Sequence, residues 1–122
     1  EGIDFLVPCG TTGETPTLEQ EEYLQVIQVV VEEAAGQVPV LAGAGGNNTR
    51  KVVKLMQEVA PLGVQGFVSV APYYNKPTQE GFYQHYRAIA EATHLPLILY
   101  NVPGRTGSNI QVPTVARLSH PL

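Results

Sequence analysis

The chain has 122 residues, 43% of them hydrophobic, which is enough for one domain with a buried core. Its net charge of −4 and its lack of a basic cluster argue against a nucleic-acid partner. No apolar stretch approaches the roughly 18 residues of a membrane span. The lone cysteine, Cys9, excludes an internal disulfide and is typical of a reducing compartment, so we expect a cytoplasmic protein.

Predicted strands and helices alternate along the chain. Four short runs rich in Val, Ile and Leu, without polar alternation, are typical of parallel strands covered on both faces: 3–7, 38–42, 66–70 and 97–100. Apolar residues at helical spacing predict helices over 18–35, from Asn48 or Thr49, from Thr78 to about His94, and from about Pro113. Thr17 and Gln20 form a capping-box pattern at the first helix, and Gly36 suits its left-handed end.

This alternation is compatible with part of a (β/α)8 barrel or with a doubly wound open sheet. A whole barrel needs about 250 residues, so this chain could hold about half of one. An open sheet should carry a nucleotide fingerprint, but Asn48 stands where the third glycine of G-x-G-x-x-G belongs. The fold class we predict is therefore α/β, a partial barrel segment over 1–122. Because the chain opens at Glu1 without a methionine, we expect it to be a piece of a longer protein.

Polar side chains follow three of the predicted strands. The segments are G-T-T-G-E at 10–14, P-Y-Y-N-K-P at 72–77 and Y-N-V-P-G-R-T-G at 100–107. Ligand sites of parallel α/β proteins lie at the carboxyl ends of their strands. These segments gather hydroxyls, an amide and a guanidinium at one edge of the sheet. This combination predicts a site for a small, oxygen-rich substrate that carries a carboxylate.

Each segment offers specific chemistry and a structural alternative. Thr11 and Thr12, between glycines, predict an anion cradle of hydroxyls and free N–H groups, or a loop that satisfies its own backbone. Tyr100 ends a strand, where a phenol can exchange protons with a ligand. Tyr74, like Tyr73 before it, is a candidate for the site or for packing. Arg105 can bind a carboxylate in bidentate fashion or form a salt bridge on the rim.

Other reactive side chains give weaker signals. We interpret Cys9 as a small buried hydrophobe. His85, His94 and His120 have no metal-ligand spacing such as H-E-x-x-H, so the sequence predicts no metal site. The lysines occupy ordinary solvated positions, two of them on the second predicted helix and one in the 72–77 loop.

In this order and spacing, the segments 10–14, 71–77 and 100–107 closely resemble the dihydrodipicolinate synthase family of pyruvate-dependent Schiff-base aldolases. The resemblance runs through nearly the whole chain and implies a (β/α)8 barrel, of which about strands two to five are present. It implies a lyase that condenses pyruvate with aspartate-4-semialdehyde to 4-hydroxy-tetrahydrodipicolinate in lysine (diaminopimelate) biosynthesis. It further implies no cofactor, and a homodimer or homotetramer of the full-length protein.

The resemblance also implies roles for five residues. Tyr100 would be the central acid/base at the imine of bound pyruvate, and Thr11 and Tyr74 would complete a proton relay with it. The tyrosine matching Tyr74 would reach the site across a tight dimer interface. Thr12 would hold the pyruvate carboxylate, and Arg105 would hold the carboxylate of aspartate-4-semialdehyde.

One residue that this chemistry requires has no match in the chain. The family's Schiff-base lysine lies on the sixth barrel strand, and none of Lys51, Lys54 and Lys76 corresponds to it. We therefore expect the chain by itself to be inactive.

Two alternative functions are open at this point. One is another aldolase of the same superfamily, such as sialic acid lyase or a 2-keto-3-deoxy sugar acid aldolase, although such relatives generally lack the Arg-Thr-Gly found at 105–107. The other is a non-catalytic phosphate- or nucleotide-binding module built on an open sheet.

Overall fold

The computed structural model describes residues 2–119, so His120 lies outside the described residues. Within this range a parallel sheet holds three strands in sequential order: β1 (Leu41–Gly43), β2 (Gly66–Val70) and β3 (Leu97–Tyr100). The helices are α1 (Gln20–Ala34), α2 (Thr49–Val59), α3 (Gln79–Glu91), α4 (Pro103–Thr106) and α5 (Val112–Ser119). Neighbouring parallel strands joined through helices are the repeating unit of a (β/α)8 barrel.

The predicted strands at 66–70 and 97–100 are confirmed, whereas the one at 3–7 is wrong. Only Leu6 pairs there, in a single parallel bridge to Val40. The Leu6 N–H donates to the Pro39 carbonyl and the Leu6 carbonyl accepts from Leu41, both at 2.9 Å. This segment therefore continues the strand order beside β1 without forming a ladder of its own.

The predicted strand at 38–42 begins later than expected, at Leu41. Proline has no N–H, so Pro39 cannot donate to a ladder. The N–H of Val40 donates instead to the side-chain Oε1 of Gln65, at 2.7 Å. The Gln65 side chain thus occupies the N–H that Val40 would need for pairing if β1 began earlier.

Helix α1 also begins later than its predicted cap. Its N-cap is Glu19, whose N–H donates to the Glu22 carboxylate at 2.9 Å within a capping box. Thr17 belongs to a preceding 3-10 turn, and its hydroxyl donates to the Glu14 carbonyl at 2.8 Å. The predicted pairing of Thr17 with Gln20 is therefore wrong, because this turn already occupies the Thr17 hydroxyl.

The other helix ends follow the sequence signals more closely. Asn48 and Thr78 cap α2 and α3, with side-chain oxygens 3.3 and 3.1 Å from backbone nitrogens of the first turns. Gly36 follows α1 with a left-handed φ of 73°. Helix α3 ends at Glu91 rather than near His94.

The helices cover one face of the sheet and leave the other open. The core between sheet and helices contains side chains that are almost completely buried: Ile27, Met56, Phe67, Phe82, Tyr86 and Ile89. On the opposite face Val68 and Val70 are half-buried. Ile98 and Tyr100 on β3 are 45% and 41% exposed. The strand alternation therefore directs one set of side chains into the core and the other toward an open concavity.

Two glycines permit close packing after β1. A Cβ at Gly43 would overlap the carbonyl oxygen of Cys9, and a Cβ at Gly45 would lie 2.5 Å from the backbone nitrogen of Val70. Only a residue without a side chain fits so near to other backbone atoms. The glycines thereby bring the segment around Cys9 and the end of β2 together, where the polar segments lie.

Candidate active site

A cavity of about 680 Å³ lies at the carboxyl ends of the strands, on the open side of the sheet. Four of the five predicted site residues line it: Thr11, Thr12, Tyr100 and Arg105. Its apolar wall includes several valines: Val7, Val68, Val70 and Val102. Hydroxyls, a phenol and a guanidinium thus converge beside an apolar surface, an arrangement typical of a small-molecule site.

Tyr100 enters this cavity because it is the last residue of β3. The strand alternation places it on the open face with Ile98. Its carbonyl accepts a hydrogen bond from the Ala71 N–H at 2.9 Å, so the backbone beneath the phenol is fixed to the neighbouring strand's end. The placement predicted from the strand end is confirmed.

The threonine segment folds as a 3-10 turn over Thr11–Gly13. The N–H groups of Gly13 and Glu14 donate within the turn, to the carbonyls of Gly10 at 2.9 Å and Thr11 at 3.2 Å. The predicted cradle of free N–H groups is therefore smaller than expected, since the tight turn uses these two donors. Thr11 and Thr12 are exposed and line the cavity.

Tyr74 lies apart from the other predicted site residues. It lines a second cavity of about 700 Å³, together with Lys76 and the turn over 104–107. The Tyr74 side chain is 89% exposed, and its backbone is left-handed, with φ at 71°. Within this chain the structure does not bring Tyr74 into the cavity of Thr11 and Tyr100.

Arg105 lies between the two cavities and lines both. It sits in the short helix α4, whose first residue is Pro103. Within residues 2–119 the ion pairs join other residues: Lys54 with Glu58, Arg87 with Glu91, and Arg117 with Glu80. The alternative interpretation of Arg105, a salt bridge on the rim, therefore finds no partner in the described part of the chain.

Tyr23, on α1, also lines the cavity, although it was not among the site residues predicted from the sequence. Its hydroxyl donates to the Gly43 carbonyl at 2.5 Å, and burial raises the pKa of this phenol far above its usual value. Cys9 packs beside it as a buried side chain, as predicted, and burial raises the pKa of its thiol. Both groups stay protonated at neutral pH and contribute shape rather than charge.

The sequence analysis also missed how the turn after β3 is held. The Asn101 side chain accepts from the Ile110 N–H at 3.2 Å and donates to the Asn109 side chain at 2.8 Å. Buried Thr106 makes further bonds inside the same turn. An asparagine directly after a strand, followed by Pro-Gly, was the available signal for such a self-bonded loop.

Residues 2–119 contain neither a cluster of metal-ligating side chains nor a helix suited to a membrane. No three His, Cys, Asp or Glu side chains come together there as a candidate metal site. No helix in that range is both long and apolar enough to cross a bilayer. His85 is buried, with Nδ1 lying 2.8 Å from the Thr49 hydroxyl.

Comparison with known proteins identifies the family. The model of the dihydrodipicolinate synthetase family matches residues 1–121. The chain belongs to this family. Two relatives are named 4-hydroxy-tetrahydrodipicolinate synthase. The one from Prosthecochloris aestuarii is 60% identical to this chain over 118 residues, and the one from Koribacter versatilis is 59% identical over 119 residues. Each match covers 97% of this chain but only 40% of the relative's length.

Solved structures agree with this assignment. A dihydrodipicolinate synthase from Bacillus anthracis superposes with a TM-score of 0.95 at 51% identity, covering 98% of this chain and 41% of that protein. A chloride-inhibited synthase from Acinetobacter baumannii, complexed with pyruvate, gives 0.93 at 52% identity, with coverages of 96% and 40%. This chain is therefore part of a (β/α)8 barrel, and the open-sheet alternative is wrong.

Proposed function

We propose that the full-length protein containing this chain condenses pyruvate with aspartate-4-semialdehyde through a Schiff base. The product would be 4-hydroxy-tetrahydrodipicolinate, for lysine (diaminopimelate) biosynthesis. The observation that carries the proposal is the cavity where Thr11, Thr12, Tyr100 and Arg105 meet, in a chain whose relatives carry this synthase name. We further propose a cytoplasmic homodimer or homotetramer.

In this proposal Tyr100 is the acid/base. When a lysine amine attacks the ketone of pyruvate, the carbonyl oxygen must leave as water, and each step needs a proton moved at that oxygen. The phenol borders the cavity at the end of a fixed strand, and Thr11 lines the same cavity. The amine comes from the rest of the full-length protein, because Lys51 and Lys54 lie exposed on α2 and Lys76 lines the other cavity.

The remaining residues bind the two carboxylates and complete the relay. Thr12, in the 3-10 turn, receives the carboxylate of pyruvate. Arg105 receives that of aspartate-4-semialdehyde, which would neutralise a guanidinium that lacks an acidic partner within residues 2–119. Tyr74 is 89% exposed, so its phenol is available to the site of a second subunit. That availability supports a dimer in which the tyrosines are exchanged.

Borohydride trapping tests the covalent step. The full-length protein, incubated with pyruvate and borohydride, should gain the mass of one reduced pyruvate adduct, whereas the 122-residue chain should not. An adduct on Lys76 of the isolated chain would contradict the proposed source of the amine. Turnover of sialic acid or a 2-keto-3-deoxy sugar acid, in place of aspartate-4-semialdehyde, would establish the aldolase alternative instead.

A phenol-to-phenyl substitution tests the role of Tyr100. Tyr100→Phe should lower kcat of the full-length enzyme by about 10²–10⁴-fold, the effect expected for loss of a general acid/base. Tyr83→Phe is the matched control, since Tyr83 is buried on α3 and packs its ring against Arg117. A kcat within a few-fold of wild type for Tyr100→Phe would exclude the assigned role.

A further inference from the structure

The 72–77 loop, which carries Tyr73 and Tyr74, is held in an unfavourable backbone conformation. Tyr74 and Lys76 have φ of 71° and 43°, in the left-handed region that non-glycine residues seldom adopt. Such conformations persist only where surrounding contacts hold them. The hydrogen bonds between this loop and its neighbours are therefore the features that fix where the Tyr74 phenol lies.

On one side this loop is bonded to the turn that carries Arg105. The Tyr74 N–H donates to the carbonyl of Thr106 at 3.2 Å. The Ser108 hydroxyl donates to the carbonyl of Pro72 at 3.2 Å. Two bonds thus join the loop to the residue directly after Arg105 and to the end of the same turn.

Thr106 organises that turn through its side chain. The residue is 3% exposed, and its Oγ1 lies 2.8 Å from the Ser108 carbonyl and 3.3 Å from that of Val102. The same oxygen lies 3.3 Å from the Ser108 nitrogen and accepts its N–H. The Thr106 carbonyl and Ser108 are the two groups that hold the tyrosine loop, and one buried hydroxyl fixes both of them.

On its other side the loop is bonded to the segment after β1. Asn47 donates from its side chain to the Tyr73 carbonyl at 3.3 Å, and Asn75 donates to the Asn47 carbonyl at 3.0 Å. These bonds keep the start of the loop in place when those on the Thr106 side are removed. Loss of the Thr106 hydroxyl should therefore loosen Tyr74 and Arg105 without unfolding the loop.

We infer that Thr106 is a positioning residue that couples Arg105 to the tyrosine loop, so that the two groups act as one unit. The inference rests on the proposed function for its kinetic consequence, but the coupling itself is a property of this chain. The Thr106 hydroxyl is required, and its methyl group is not, because all three side-chain hydrogen bonds of Thr106 are made by Oγ1.

Four variants of the full-length protein test this inference. Thr106→Val removes the hydroxyl at nearly constant shape, Thr106→Ser keeps it, and Ser108→Ala removes only the bond to Pro72. Thr114→Val is the matched control, since Thr114 is also buried and its hydroxyl donates to Gln79, on α3. The measurements are amide hydrogen exchange of the 72–77 peptide, KM for both substrates, kcat and Tm.

Thr106→Val should speed exchange in the 72–77 peptide and raise KM for aspartate-4-semialdehyde by about 3- to 10-fold, the range for one lost hydrogen bond. KM for pyruvate should change less than twofold, Thr106→Ser should restore wild-type values, and Ser108→Ala should shift in the same direction as Thr106→Val. Thr114→Val should lower Tm without these effects.

The contrary outcomes are distinct for the inference and for the proposed function. Unchanged exchange at 72–77 in both Thr106→Val and Ser108→Ala would overturn the coupling, as would equal kinetic losses in Thr106→Ser and Thr106→Val. If Thr106→Val does not fold, Ser108→Ala and Thr106→Ser decide the matter. If the wild-type protein does not turn over pyruvate and aspartate-4-semialdehyde, the proposed function alone is overturned, because the amide hydrogen exchange measurement needs no substrate.

Discussion

At the scale of single residues, Arg105 is the cation that lines both cavities, without an acidic partner within residues 2–119. We expect Arg105→Ala to raise KM for aspartate-4-semialdehyde by about 10- to 100-fold, since a lost charge-assisted bond is worth roughly 1.5–3 kcal/mol. KM for pyruvate should change far less. Steady-state kinetics with Arg87→Ala as control, an exposed arginine paired with Glu91, checks this. Equal increases for both substrates would contradict the assignment.

His85 gives the protein a sensitivity to acid. Burial lowers the pKa of this histidine from 6.5 to about 4, and its Nδ1 lies 2.8 Å from the Thr49 hydroxyl. Because the folded pKa lies below the unfolded one, the unfolded state binds more protons between these values. The stability due to neutral His85 is therefore complete above pH 6.5 and is lost as pH falls toward 4.

The difference between variants isolates this contribution. Between pH 7 and pH 4.5, Tm of the full-length wild-type protein should fall by roughly 4 °C more than Tm of its His85→Gln variant, which has no ionisable group at position 85. His94→Gln, at an exposed histidine after α3, should follow the wild type. Parallel Tm profiles for wild type and His85→Gln would contradict the expectation.

At the scale of elements, Gln79 joins α3 to the connection between β3 and α5. Its side chain donates to the Asn109 carbonyl at 2.8 Å and accepts from the Gln111 N–H at 3.0 Å and the Thr114 hydroxyl at 2.6 Å. Gln79→Ala leaves these groups without their partner and should cost about 1–3 kcal/mol of stability. Thermal unfolding of the full-length protein should show a lower Tm for Gln79→Ala than for Gln84→Ala, because the Gln84 side chain bonds only within α3. Equal Tm values would show that water replaces these bonds.

The elements that were predictable are those fixed by local pattern. The runs ending at Val70 and Tyr100 are uninterrupted and apolar, so the strand ends and the place of the Tyr100 phenol followed from the sequence. The start of β1 could not be predicted in this way, because the Val40 N–H donates to the side chain of Gln65, which lies far along the chain.

The backbone conformation of Tyr74 was beyond prediction for a similar reason. The sequence places Tyr73 and Tyr74 in one loop, but it does not reveal the left-handed φ of 71° at Tyr74, whose side chain lines the second cavity. The loop is held in that conformation by hydrogen bonds to Thr106 and Ser108, which lie more than 30 residues further along the chain, and no local pattern reveals these bonds.

At the scale of the whole molecule, the open face of the sheet governs how the isolated chain behaves. Apolar side chains are exposed on this face, notably Ile98 at 45%, and on the segment before β1, notably Ile3 at 61% and Phe5 at 47%. Exposed apolar surface next to unpaired strand edges promotes association. We expect the 122-residue chain to self-associate and to bind a hydrophobic dye, as measured by sedimentation velocity and dye fluorescence. A monomer that unfolds cooperatively would contradict this.

The close packing at Gly43 and Gly45 limits which sequences can encode this fold. In a library of single substitutions of the full-length gene, selected for soluble protein, every replacement at these two codons should be depleted, including alanine. Codon 13 is the comparison, because a Cβ at Gly13 meets no atom within 4 Å. Survival of alanine at codon 43 would contradict the overlap with Cys9. We therefore expect soluble variants to accept a side chain at codon 13 and to require glycine at codons 43 and 45.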